Sequence, residues 1–115
     1  MLKKSLSSVR IYYPKYSTTE ILKRISESLE SLKNYLPLKL VVLFGSYAKK
    51  TYTAASDIDL LIVYEGKKRE DAYIRCRKIL NITRLELHIY SESEYNDNKQ
   101  TVERMIKDST LLYTT

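Results

Sequence analysis

Apolar residues recur at helical spacing after residue 17, and a recognisable signal marks each end of that segment. Ser17 and Glu20 have the spacing of a capping box, in which each side chain accepts a hydrogen bond from the other residue's backbone N–H. The repeat of three or four residues predicts a helix that ends near Leu36, because Pro37 cannot continue it. The apolar positions of this helix are Ile21, Ile25, Leu29, Leu32 and Leu36.

Three later segments have the patterns of β-strands. Residues 38–44, LKLVVLF, form a dense apolar run of the kind found in buried strands. The segment DIDLLIVY, residues 57–64, predicts a second strand that ends before Gly66. In RLELHIY, residues 84–90, apolar and polar residues alternate, which predicts a strand with one buried face.

Short helices are expected between and after these strands. One should begin just after residues 45–46, and helical spacing predicts another over residues 69–80. Ser91 and Glu94 form a second capping-box pair, which predicts a helix after the third strand. Residues 111–113, LLY, are either a short final strand or an extended tail. The order α-β-α-β-α-β-α predicts an α/β (α+β) fold, in which helices flank a small mixed β-sheet.

Length and composition indicate one soluble cytoplasmic domain. The 115 residues, with 43% apolar and 30% charged side chains, are typical of a single globular domain. No apolar run approaches the roughly 20 residues that span a bilayer, and no apolar segment of a secretory signal follows the basic N-terminus. The single cysteine, Cys76, cannot form an internal disulfide, and we interpret it as a buried apolar residue in a reducing cytoplasm. Residues 1–16 are an N-terminal extension with a candidate strand at 9–13.

The charge of the chain favours anionic partners without choosing among them. The formal net charge is +6 and the isoelectric point is near 9.3. Nucleotides, nucleic acids and acidic proteins all fit such a charge. The basic residues are spread along the sequence rather than concentrated in one block. The partner must therefore be inferred from specific motifs.

Two aspartates interrupt the second predicted strand. The strand period of two puts Asp57 and Asp59 on one face, roughly 7 Å apart. Two carboxylates in a core strand repel each other and are costly to bury. A hard cation such as Mg²⁺ would offset that repulsion, because it prefers oxygen ligands. An ordinary strand edge or turn can also carry this motif.

Gly45 and Ser46 follow the first predicted strand. Glycine lets the backbone approach a ligand closely, and the N–H groups at the start of a helix can bind phosphate. An ordinary strand-to-helix turn is the alternative. Together with Asp57 and Asp59 on the next strand, this turn would let one nucleoside triphosphate contact both motifs. Lys49 and Lys50 would then either reach the triphosphate or remain solvated.

A third acid lies on the polar face of the last alternating strand. In a two-metal site, Glu86 would share a metal or accept the proton of an attacking hydroxyl. The alternative is a glutamate that faces solvent. His88 is on the same face of that strand, and we interpret it as structural.

These motifs resemble the signature of the DNA polymerase β-like nucleotidyltransferase superfamily. That signature is a Gly-Ser pair, ten intervening residues and an Asp-x-Asp motif, here Gly45-Ser46 and Asp57-Ile58-Asp59. The small size, the segment SDIDLLIV and the final LLY are similar to its minimal, antitoxin-type members, which are often encoded beside a HEPN-domain toxin. The similarity covers residues 18–113, so it implies that residues 1–115 are a single minimal nucleotidyltransferase domain.

The resemblance implies a complete reaction. Gly45 and Ser46 would hold the β- and γ-phosphates of ATP, while Asp57, Asp59 and Glu86 would bind two Mg²⁺ ions. An acceptor hydroxyl would attack the α-phosphate, and pyrophosphate would leave. In antitoxin-type members the acceptor is a tyrosine of the HEPN toxin, which is silenced when AMP is attached.

The implied partners are therefore a nucleoside triphosphate and a HEPN toxin, with no membrane and no direct nucleic-acid binding. Both a homo-oligomer and a hetero-oligomer remain open. This chain departs from the family at Lys50, where many relatives have glycine, and at Glu86, where aspartate is common. Two other functions are considered: a non-catalytic module that binds the toxin or a nucleotide, and a transferase that acts on a small hydroxylated molecule.

Overall fold

A computed structural model of the chain describes residues 16–115. The extension predicted over residues 1–16, with its candidate strand, therefore lies outside the described residues apart from Tyr16. The elements of the described chain are α1 (Thr18–Tyr35), β1 (Leu38–Phe44), α2 (Gly45–Lys49), β2 (Ile58–Tyr64), α3 (Ala72–Leu80), β3 (Leu85–Ser91), α4 (Glu92–Asp97), α5 (Lys99–Met105) and β4 (Thr110–Thr114). None of these helices is long and apolar enough to cross a bilayer.

The four strands form one mixed sheet in the order β3-β2-β1-β4. Strand β1 is antiparallel to β2 and to β4, whereas β2 and β3 are parallel. The predicted mixed sheet is confirmed, and the LLY segment is an edge strand rather than a tail. In this register Asp59 is the neighbour of Phe44 on one side and of Glu86 on the other.

Both faces of the central strand β2 are buried, which explains its continuous apolar run. Ile58, Leu60 and Ile62 face the core that contains residues of α1 and α3. Leu61 and Val63 face a second cluster beneath α4 and α5. Cys76 of α3 is fully buried in the first core, and this burial raises the pKa of its thiol to about 11. The interpretation of Cys76 as a buried apolar residue is confirmed.

The two predicted capping boxes are present. Ser17 caps α1 through Glu20, and Ser91 caps α4 through Glu94. The single helix predicted after Ser91 is wrong in one respect, because α4 and α5 are separated at Asn98. The side-chain amide of Asn98 donates a hydrogen bond to the carbonyl of Glu94, 2.9 Å away. Such a bond competes with a continuing helical ladder, which favours a break at this residue.

Helix α2 is short but firmly attached to α1. The ring of Tyr47 is buried, and its hydroxyl donates to the carbonyl of Tyr16, 3.1 Å away. The hydroxyl of Thr18 donates to the carbonyl of Tyr47 at 2.8 Å, and the ring of Tyr52 stacks on that of Tyr47 with centroids 4.2 Å apart. These contacts fix α2 relative to the start of α1.

Lys50 ends α2 in the left-handed conformation, with φ 60° and ψ 32°. Its backbone N–H points back to the carbonyls of Ser46 and Tyr47. Glycine adopts this conformation without the steric penalty that a Cβ atom brings. A glycine at this position would therefore relieve the strain that Lys50 carries.

We expect Lys50→Gly to raise the free energy of unfolding by about 0.5 to 1 kcal/mol, because it removes left-handed strain at the end of α2. Urea unfolding of the purified proteins would measure the difference. Lys49→Gly is the matched control, and it should lower stability because Lys49 is still within the helix. Equal losses at both positions would contradict this account of Lys50.

Candidate active site

The sheet topology brings the motif residues to one edge. Because β1 and β2 are antiparallel, the Gly45-Ser46 turn at the end of β1 lies beside the start of β2, where Asp57 and Asp59 are found. Strand β3 runs parallel to β2, so Glu86 near its start lies directly next to Asp59. Segments separated by some 40 residues therefore meet in one place.

Three side chains form a compact cluster there. One ligand atom from each of Asp59, Glu86 and His88 lies within 4.8 Å of the others. His88 Nε2 is 3.6 Å from Asp59 Oδ1 and 3.9 Å from Glu86 Oε1. The side chain of Asp59 is 26% exposed and that of Glu86 is 53% exposed, so the cluster opens to solvent on the Glu86 side. We call these three residues the acidic cluster.

Asp57 lies outside the acidic cluster. It precedes β2, its side chain is 52% exposed, and its Oδ1 atom is 3.5 Å from Nη2 of Arg84. The Arg84 guanidinium also donates to the carbonyls of Ala55 at 2.6 Å and Ser56 at 3.3 Å, and so holds the loop before β2. An ion pair between half-exposed groups contributes little free energy, so a rotation of Asp57 away from Arg84 costs little.

Gly45 is required by the position of Asp59. Its φ is +73°, and a Cβ atom added there would overlap the Asp59 carboxylate. The sequence suggested that glycine would allow a ligand to approach the backbone. In the structure, glycine also allows the Asp59 carboxylate to pack directly against the turn.

The start of α2 leaves polar groups available beside the cluster. The preceding residue, Phe44, provides no side-chain cap for the first-turn N–H groups. Within residues 16–115, the hydroxyl of Ser46 makes no hydrogen bond, and the ammonium groups of Lys49 and Lys50 make no ion pair. Because α2 has only five residues, its dipole is small, and anion binding here would depend on the N–H groups themselves.

The environment of Asp59 disfavours its negative charge. Burial is the largest cause that raises its pKa, and the charges of Glu86 and Asp57 raise it further. His88 acts in the opposite direction and offsets only part of this effect. A bound divalent cation would stabilise the ionised form, because it places positive charge directly beside the carboxylates.

The donor atoms of the acidic cluster fit such a cation. Two carboxylates and an imidazole are common ligands of divalent metals, and Asp57 is a further carboxylate two residues from Asp59. The Nε2 atom of His88 is shielded from solvent and has no hydrogen-bond partner within the described chain. A ligand in the cluster would supply that missing partner.

Sequence reasoning missed two residues of this site. Arg84 has no motif that would identify it, since its role depends on the carbonyls of the loop before β2. His88 was interpreted as structural, although the alternation of β3 placed it on the same face as Glu86. The missing information was the pairing of β2 with β3, which puts Asp59 beside both Glu86 and His88.

Comparisons with known proteins identify the same fold and family. Residues 22–113 match the family model described as "Nucleotidyltransferase domain". A candidate protein adenylyltransferase of Methanocaldococcus jannaschii is 40% identical over 81 residues, which cover 68% of this chain and 79% of the relative.

Solved structures agree with this result. The crystal structure of a candidate nucleotidyltransferase from Sulfolobus solfataricus has a TM-score of 0.57 at 27% identity, covering 84% of this chain and 83% of that chain. A chain from the complex of a tri-AMPylated Shewanella oneidensis HEPN toxin with its MNT antitoxin has a TM-score of 0.56 at 16% identity. That match covers 85% of this chain and 73% of that chain, and it shows a shared fold.

We expect Gly45→Ala to lower the free energy of unfolding by roughly 2 kcal/mol, from left-handed strain and from overlap with Asp59. In an Asp59→Ala background the overlap is absent, so the cost should fall to about 1 kcal/mol. A double-mutant cycle by urea unfolding in the presence of a chelator would measure this coupling. Gly66→Ala is the matched control.

Gly66 also has a positive φ of +91°, but nothing lies within 4 Å of a Cβ atom added there. Its substitution should therefore cost the same in both backgrounds. If Gly45→Ala also has equal costs in both backgrounds, the close packing of Gly45 against Asp59 is not what makes glycine necessary.

Proposed function

Because this chain belongs to the nucleotidyltransferase domain family, we propose that it transfers AMP from ATP to a hydroxyl group of a partner protein, a tyrosine of a cognate HEPN toxin, and so acts as an antitoxin. The observation that carries this proposal is the meeting of the Gly45-Ser46 turn with Asp59 and Glu86 at one edge of the sheet. This arrangement lets one triphosphate contact the turn while its cation contacts the acids.

In this proposal the acids hold two Mg²⁺ ions. Asp59 and Glu86 would bind one ion, and Asp57 would help to bind the second after its carboxylate rotates away from Arg84. When bound, such ions neutralise negative charge on the substrate phosphates and orient the reacting oxygens. The raised pKa of Asp59 supports this role, because burial and the neighbouring acids disfavour the ionised carboxylate and a cation would offset both effects.

The triphosphate would lie on the turn between β1 and α2. The backbone N–H groups of Gly45 and Ser46 and the Ser46 hydroxyl would donate hydrogen bonds to the β- and γ-phosphate oxygens. Lys49 and Lys50 are exposed on the next turn, and their ammonium groups would add positive charge near the phosphates. The lack of a side-chain cap at Phe44 supports this role, because within residues 16–115 no N-cap side chain competes for these N–H donors.

Glu86 would accept the proton in the chemical step. The acceptor oxygen forms a bond to the α-phosphorus, the bond from that phosphorus to the bridging oxygen breaks, and pyrophosphate leaves. The proton of the acceptor hydroxyl passes to the Glu86 carboxylate. The half-exposed position of Glu86 supports this role, because an acceptor from another molecule can reach it.

Two further observations support a protein as the acceptor. Asp57 and Glu86 are both half-exposed, so the site is open to a large molecule. The relative from Methanocaldococcus jannaschii is named for adenylyl transfer to protein, and a structure of similar fold contains an AMPylated HEPN toxin with its MNT antitoxin. A small hydroxylated acceptor has no comparable support.

A second function has one observation in its favour. The guanidinium of Arg84 lies beside Asp57 and neutralises an acid that a second cation would need. A chain with this arrangement would bind its toxin and inhibit it without catalysis. The two functions differ in whether Asp59 is needed for neutralisation.

We expect the purified chain, with Mg²⁺ and ATP, to add the mass of one or more AMP groups to its cognate HEPN toxin. Label at the α-phosphate of ATP should enter the toxin, whereas label at the γ-phosphate should not, because pyrophosphate is the leaving group. Intact mass spectrometry and autoradiography would measure the transfer. Asp59→Asn should reduce it by about 100-fold or more.

Glu92→Gln is the matched control, since Glu92 is an acid that pairs with Lys39 outside the acidic cluster. It should retain transfer. If the toxin gains no AMP mass, and Asp59→Asn neutralises it as well as the natural chain does, then the chain acts by binding alone.

A further inference from the structure

His88 is an unusual residue on the face of β3 that carries Glu86. Its side chain is largely covered, and Nε2 is shielded from water without a hydrogen-bond partner in the described chain. A buried polar atom left without a partner costs roughly 1 to 3 kcal/mol. The carboxylates of Asp59 and Glu86 lie near this atom, but at distances beyond a hydrogen bond, so its hydrogen-bonding position is open to a ligand.

The distances from Nε2 to the neighbouring carboxylates indicate what kind of ligand this atom binds. Its Nε2 atom lies 3.6 Å from Asp59 Oδ1 and 3.9 Å from Glu86 Oε1, which is too far for hydrogen bonds to either. In an octahedral metal site with bonds of about 2.1 Å, neighbouring ligand atoms are about 3 Å apart and opposite ones about 4 Å apart. The two measured separations lie between these values, so they are compatible with ligands around one ion.

The ring is held in place by contacts that leave Nε2 unused. The imidazole and the ring of Phe44 make an edge-to-face contact, with centroids 5.0 Å apart and an interplanar angle of 61°. Phe44 is buried and is itself the strand neighbour of Asp59. The same residue thus positions the imidazole beside the carboxylate.

We propose that His88 is a ligand, through Nε2, of the divalent cation held by Asp59 and Glu86, and that this nitrogen gives the site a preference for Mn²⁺ over Mg²⁺. The inference rests on the proposed function for the cation itself. Mg²⁺ prefers oxygen ligands, whereas imidazole binds transition metals well. His88 thereby sets which metal the site selects, beyond the carboxylates that the family motif provides.

Pulsed electron paramagnetic resonance of bound Mn²⁺ tests this directly. The chain contains a single histidine, so imidazole coupling in protein without a histidine tag can come only from His88. With Mn²⁺ alone and no nucleotide, we expect ¹⁴N coupling from a directly bound imidazole. Labelling the protein with ¹⁵N-histidine should replace this signal with ¹⁵N coupling, without any substitution that might disturb the fold.

Two substitutions and one control extend the test. His88→Gln and His88→Leu should abolish the nitrogen coupling. Calorimetric titration should show that the ratio of the Mg²⁺ to the Mn²⁺ dissociation constant falls at least about tenfold in His88→Gln. Tyr90→Phe, on the same face of β3 but outside the acidic cluster, should keep both the coupling and the ratio.

The possible failures are distinguishable. If Mn²⁺ binds without nitrogen coupling, His88 is not a ligand, while the proposed metal site of Asp59 and Glu86 stands. If neither Mn²⁺ nor Mg²⁺ binds, even with a non-hydrolysable ATP analogue, the inference and the proposed function both fail.

Discussion

The carboxylate of Asp59 lies where three segments of the chain meet, and the rest of the site is built around it. It packs against the backbone of Gly45, neighbours Glu86 across the parallel strands, and faces the imidazole of His88. Burial and two other acids disfavour its charge, and His88 offsets only part of their effect. In the proposed function a divalent cation would relieve this constraint, and a triphosphate on the adjacent turn would complete the site.

This constraint has a consequence for stability. The pKa of Asp59 is raised in the folded protein, so the folded chain holds its proton more tightly than the unfolded chain does. The stabilisation that this tighter proton binding gives is fully present below pH 3.8, the ordinary pKa of an aspartate. It is lost as the pH rises through the higher pKa that Asp59 has in the folded protein. At neutral pH without metal, Asp59 therefore destabilises the fold, as expected of a residue placed for function rather than stability.

Much of the architecture was predictable because local signals agree with the fold. The Ser17 capping box, Pro37 and the apolar run of β2 each predict the element that is found. The grouping of Gly45 with Asp59 was predictable from their motif. Its physical basis was not, because the overlap between the Asp59 carboxylate and a Cβ atom at position 45 depends on the register of β1 and β2. For the same reason the sequence did not reveal that His88 joins the acids or that Arg84 binds Asp57.

The central claim is that Asp59 and Glu86 hold the cation of a nucleotide bound at the Gly45-Ser46 turn. The most direct measurement is a crystal structure with Mn²⁺ and a non-hydrolysable ATP analogue, in which anomalous scattering locates the metal. The account predicts an anomalous peak between the carboxylates of Asp59 and Glu86, with the triphosphate against the backbone of Gly45 and Ser46. A metal and nucleotide bound at a different surface, with the acidic cluster empty, would contradict it.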